Sequence, residues 1–73
     1  MEIITNKKEL FKKIGEWTTV LISSNYNLGS NQIELSYKNE KILYKNNNIK
    51  HVAYIALQCN AINHKQYEHV LFN

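Results

Sequence analysis

Cys59, His64 and His69 are spaced C-x4-H-x4-H, with His51 upstream. Thiolate and imidazole are ligands of tetrahedral zinc, and the same two groups serve as nucleophile and base in cysteine-dependent acyl transfer. Structural zinc spacing begins with a close cysteine pair, whereas Cys59 is the single cysteine of the chain, so the pattern predicts no metal. A Cys59–His64 or Cys59–His69 pair oriented by Glu68 would also need a cleft and an oxyanion hole. With two glycines and no Asp, the sequence offers no phosphate cradle, paired-carboxylate site or hydrolase elbow. The expectation is a protein without catalytic residues, cofactor or metal, in which Cys59 acts as a small hydrophobe.

A second constellation is electrostatic. Residues 38 to 50 carry Lys38, Lys41, Lys45 and Lys50 against Glu40, a net of +3, and the rest of the chain sums to zero. With Tyr37, Tyr44 and Tyr54 close in sequence, such lysines are able to contact phosphates while the rings stack on bases. The same charges fit an acidic protein surface. Lysine without arginine gives no bidentate recognition of guanine or phosphate, and lysines at strand edges also guard against aggregation. No RNP, zinc-finger or helix-turn-helix signature is present. Nucleic acid is therefore the alternative partner and protein the preferred one.

The elements that position these residues follow from pattern. Asn6 and Glu9 have capping-box spacing, and Leu10, Phe11, Ile14 and Trp17 fall on one side, so residues 6 to 16 read as an amphipathic helix. Its other face pairs Glu9 with Lys13 and Lys12 with Glu16 at i,i+4, which compensates its charge. Thr18 to Ser23 suits a strand, residues 23 to 31 a loop with Gly29 at positive φ, and Ile33 to Tyr44 an alternating hairpin. The hairpin register expected sets Lys38 opposite Lys41, Tyr37 opposite Ile42, Leu35 opposite Tyr44 and Glu34 opposite Lys45.

Asn46-Asn47-Asn48 reads as a turn into residues 49 to 58, where helix and strand compete. Val52, Ile55, Cys59 and Ile62 have helical spacing, but Val52, Tyr54 and Ile55 favour a strand and the apolar run has the length of a buried one; a strand is expected. Cys59 to Lys65 is then a loop and Gln66 to Phe72 a last strand. If residues 45 and 50 face each other, Ile42 lies opposite Ala53 and Leu43 opposite Val52. Leu43, Val52 and Tyr54 then share an apolar face flanked by the four lysines. Tyr26 and Leu28 are the large apolar residues of the 23–31 loop, suited to packing within the loop or to serving as further interface anchors.

The sum is α+β: one N-terminal amphipathic helix packed on a small antiparallel sheet of about four to five strands, a single domain over residues 1–73. Seventy-three residues bury only about 60% of the surface exposed by the unfolded chain, so a flat binding surface is a better expectation than a deep catalytic pocket. One layer of helix leaves the second sheet face either covered by the C-terminal segment as ordinary core or free for a partner or a homodimer. No signal peptide or membrane span is legible, and the lone cysteine suits a reducing cytoplasm. The abundance of Asn, Lys, Ile and Tyr matches AT-rich coding. In size, single-domain form and lack of catalytic motifs the chain resembles the small inhibitors made by phages and mobile elements, anti-CRISPR proteins among them. That resemblance implies a larger host protein or nucleoprotein complex as partner, a defence or nucleic-acid-processing protein blocked by occlusion.

Overall fold

Three helices begin at asparagines. The Oδ1 atoms of Asn6, Asn48 and Asn63 accept the backbone N–H three residues on, from Glu9, His51 and Gln66. Each satisfies a donor that the first helical turn leaves without an internal partner. At Asn63 the bond is reciprocal, because the Gln66 side chain accepts the Asn63 N–H and completes a capping box. The computed structural model describes residues 1–72 and places β1 at Glu2–Ile4, α1 at Lys7–Ile14, β2 at Ser23–Tyr26, β3 at Gln32–Tyr37, β4 at Glu40–Lys45, α2 at Ile49–Gln58 and α3 at His64–Leu71. A single 3-10 turn covers Thr19–Leu21.

The fold is α+β, with a four-stranded sheet in the order β1-β4-β3-β2. The expected helix at residues 6 to 16 is α1, eight residues long and preceded by a strand. The sheet is mixed rather than antiparallel: β2, β3 and β4 form an antiparallel meander, and β1 joins β4 in parallel with Ile4 beside Tyr44.

Residues 49 to 58 are helix, not strand. Val52, Ala53, Ile55 and Ala56 are buried while Lys50, Tyr54 and Gln58 are exposed, the period of a helix with one apolar stripe. Two alanines on that stripe add helix propensity to the pattern. Asn60, at φ 61°, ends α2: its N–H bonds to the Leu57 carbonyl and that of Ala61 to the Ala56 carbonyl, a Schellman closure. The expected pairings of residue 45 with 50, Ile42 with Ala53 and Leu43 with Val52 therefore do not form. Residues 66 to 72, expected as a strand, lie largely in α3, where Tyr67 and Val70 pack against the core.

The β3–β4 hairpin is shifted by two residues from its expected register, with Tyr37 opposite Glu40, Leu35 opposite Ile42 and Ile33 opposite Tyr44. A slip of two keeps every side chain on its face, so the buried set is unchanged. Lys38 takes φ 54° in the two-residue turn, the positive φ such turns demand. Thr18 to Ser23 holds the 3-10 turn instead of a strand, and the expected 23–31 loop contributes β2 before turning at residues 27 to 31. Gly29, at φ 81°, occupies the left-handed region in that turn.

All three helices pack on one face of the sheet. Ile4, Ile33, Leu35, Ile42 and Tyr44 point into the core, where they meet Leu10 of α1 and the buried stripe of α2. Lys13 does not pair with Glu9 as the spacing suggested. Its ammonium reaches Glu2 and Glu40, each at 3.4 Å, and those carboxylates raise its pKa above the ordinary lysine value. The second Glu40 oxygen accepts the Trp17 indole N–H at 3.0 Å, and Trp17 stacks on Tyr37. One carboxylate thus ties α1, the segment after it and the hairpin together.

Candidate binding surface

Alternation in each strand sends every second side chain away from the helices. Leu43, Lys41 and Lys45 of β4 share that open face with Ile3 of β1 and with Gln32, Glu34 and Ser36 of β3. Ile3, opposite Leu43, is 63% exposed, and Leu43 is half-buried by its neighbours. The centre of the face is aliphatic. Lys41 and Lys45 flank it; Lys41 lies 3.9 Å from Glu34, and Lys38 stands at the hairpin tip. A shallow groove continues the face past the strand ends, lined by Ile3, Thr5, Asn31, Lys45, Asn46 and Asn47.

Only part of the expected constellation is brought together. Leu43, Lys41 and Lys45 share the open face, with Lys38 at its end. Val52 is fully buried in the core and is unable to touch a partner. Tyr54 is exposed on α2 beside Tyr67, with ring centroids 6.1 Å apart, on the helical side of the molecule. Lys50 lies in the first turn of α2. Tyr26 is committed to its own turn, because its hydroxyl donates to the Ser30 carbonyl and accepts the Gly29 N–H, both at 3.2 Å. Leu28, at the turn tip, borders a groove with Ile49 and Val70. Ile3 was missed by sequence reasoning, since β1 is three residues long and pairs with a strand forty positions away.

The tyrosines read as base-stacking partners are dispersed. Tyr44 is in the core, Tyr37 stacks on Trp17 with the Lys38 ammonium also over its ring, and Tyr54 is on α2. No aromatic ring is therefore placed on the open face beside Lys41 and Lys45, among the described residues, so the stacking half of the nucleic-acid reading has no platform there.

Cys59 closes α2 in a buried position, and burial pushes its thiol pKa up, the reverse of what an activated nucleophile needs. Its carbonyl accepts a bond from the Ser24 hydroxyl at 3.4 Å. Among the described residues no three His, Cys, Asp or Glu side chains converge as a metal site, the C-x4-H-x4-H set included. Cys59 is expected to react with an aromatic disulfide reagent far more slowly in the native protein than in urea. Equal rates would show an exposed thiolate.

A polar cluster sits where β4 meets α2. The Asn46 Oδ1 accepts the Asn48 N–H at 2.9 Å, which turns its Nδ2 toward the Tyr44 hydroxyl at 3.2 Å. The Tyr44 oxygen also lies 2.8 Å from His51 Nε2. The shared proton sits on the oxygen or on Nε2 according to the imidazole tautomer. Desolvation, and then the Lys7 charge, lower the His51 pKa. Phe11 contacts the ring edge-on.

Comparison with protein-family models, curated proteins and solved structures finds no match to this chain. No helix among the described residues is long and apolar enough to cross a membrane.

Proposed function

We propose that this protein is a non-catalytic protein-binding module that works by occluding an acidic patch on a larger partner. The observation that carries the reading is the uncovered sheet face, with Ile3 and Leu43 between Lys41 and Lys45. An aliphatic centre supplies the desolvated core of an interface, and the flanking ammonium groups supply steering and orientation. Size, composition and the lack of convergent catalytic groups fit an inhibitor of the phage and mobile-element kind, acting in the cytoplasm on a host defence or nucleic-acid-processing protein. Lysine phosphate contacts keep nucleic acid as the competing partner, without base stacking to support it.

The test is affinity capture from host lysate, with and without nuclease, comparing the parent chain with Leu43→Asp, Ile3→Asp and Tyr54→Asp. The partner captured by the parent should survive nuclease, persist with Tyr54→Asp, and be retained at least about tenfold less by the two sheet-face variants. Undiminished capture by folded Leu43→Asp and Ile3→Asp would remove the assigned surface, and nuclease-dependent capture would replace protein by nucleic acid.

A further inference from the structure

The aliphatic part of the open sheet face is a narrow track along β4. Lys41, Leu43 and Lys45 stand in one file on that strand, at steps of about 7 Å, and Ile3 lies beside Leu43 on β1. Together β1 and β4 are about 10 Å across, the diameter of one α-helix. On the other side the neighbours turn polar: Ser36, Glu34 and Gln32 of β3 lie opposite Lys41, Leu43 and Lys45. The groove past the strand ends, where Ile3, Thr5, Lys45 and Asn46 meet, lengthens the track.

What can cover such a track follows from hydrogen bonding and charge. Strand β4 is paired on both sides, by β3 and β1, so it offers an incoming segment side chains and no backbone partners. An extended segment laid on Ile3 and Leu43 would bring its own N–H and C=O groups unpaired against aliphatic surface, whereas a helix bonds them internally. The opposite face of the same sheet is covered in that way, by three helices. A second sheet would need a broader apolar face than two aliphatic side chains. Two ammonium groups stand on the track, and the single carboxylate beside them, Glu34, lies 3.9 Å from Lys41. The track therefore selects carboxylates. A nucleic-acid strand would also meet the lysines, but the aliphatic centre between them gives its bases no ring to stack on. None of this chain's three helices carries two acidic residues, so a second copy has no matching helix to offer.

We propose that the segment bound by the open face is an acidic amphipathic helix of the partner, lying along β4 with carboxylates on Lys41 and Lys45 and an aliphatic side chain between them on Leu43 and Ile3. Four helical residues advance about 6 Å and two strand residues about 7 Å, so the recognised pattern is Glu-x3-Leu-x3-Glu. The Glu34 carboxylate repels an acidic occupant from the β3 side and keeps it over β1 and β4. This inference rests on the open face being the binding surface, and adds the conformation and charge of what binds there.

The test is a fluorescence-anisotropy titration of dye-labelled peptides with the full chain up to about 1 mM, the weak limit of specific association. The probe is an alanine-based peptide of about twenty residues, long enough to be helical alone, with one Glu-x3-Leu-x3-Glu stretch. The parent should bind it, Lys45→Glu should weaken binding by roughly tenfold or more, and Glu34→Gln should tighten it. A peptide with Lys in place of Glu, and one whose helix is broken by two prolines, should each bind at least about tenfold more weakly. Tyr54→Asp, on the helical side of the molecule, should change nothing. Absence of binding up to that limit, equal binding of the lysine or proline peptide, indifference to Lys45→Glu, weakening by Glu34→Gln, or displacement of the probe by an equal concentration of single-stranded DNA overturns the proposal. Where it falls while lysate capture still depends on Ile3 and Leu43, the surface stands with a different occupant; where that dependence is lost as well, the surface falls with it. Far-UV circular dichroism on every variant confirms that the fold is retained.

Discussion

Val52→Asp should leave the chain unfolded at neutral pH, with loss of the dispersed amide signals of a folded protein. Val52 is fully buried on the apolar stripe of α2, and an aspartate there finds no cation to pair with. Burying an unpartnered charge costs several kcal/mol, while a domain of this size has only a few kcal/mol in reserve. Val52→Ala, which removes two methyl groups and adds no charge, should cost about 2 kcal/mol and stay folded. The neighbouring Tyr54→Asp should be nearly neutral, since its side chain is on the exposed side of the same helix. The contrast between positions 52 and 54 separates a helix from a strand directly. In a strand the two would share a face and respond alike.

Tyr44→Ala is the second substitution expected to be severe, at about 3–5 kcal/mol, because Tyr44 is the largest fully buried side chain. The subtler Tyr44→Phe keeps the ring and removes the hydroxyl that joins Asn46 to His51, for a loss of about 1 kcal/mol. The same cluster gives a pH dependence of defined sign. His51 has a lower pKa folded than unfolded, so as pH falls below about 6.5 the unfolded chain takes up the proton first. Its contribution to stability is complete above that pH and is lost as pH drops toward the folded-state pKa. The urea midpoint of the parent should accordingly fall between pH 7.5 and 5.5, and His51→Gln should flatten that change. An equal slope in His51→Gln would assign it to other groups.

Much of the sheet was legible in the sequence because its signal is local. Ile33, Leu35, Ile42 and Tyr44 alternate around a short polar turn, and the two-residue error in register left their burial untouched. From position 49 onward, hydrophobic run length and β-branched content point to a strand while period points to a helix, and period prevails. The signal that settles it, an asparagine three residues ahead of the N–H it caps, is present at Asn6 and recurs at Asn48 and Asn63. Within the candidate surface, Leu43, Lys41 and Lys45 were legible from strand alternation. Val52 and Tyr54 were lost with the strand that was to carry them. Ile3 was not legible, because nothing within three residues of β1 announces a parallel partner at Leu43.

That parallel pairing bears on how the molecule is assembled. During synthesis β1 leaves the ribosome forty residues ahead of β4, and the meander of β2, β3 and β4 closes through neighbours before β1 has anything to join. Of the strand pairings in this sheet, β1 with β4 carries the longest closure, whose entropy must be met before its contacts count. The lysine bridging Glu2 and Glu40 closes that same long loop with charge, and wherever β1 is undocked, Ile3 and the β4 edge beside Leu43 lie open.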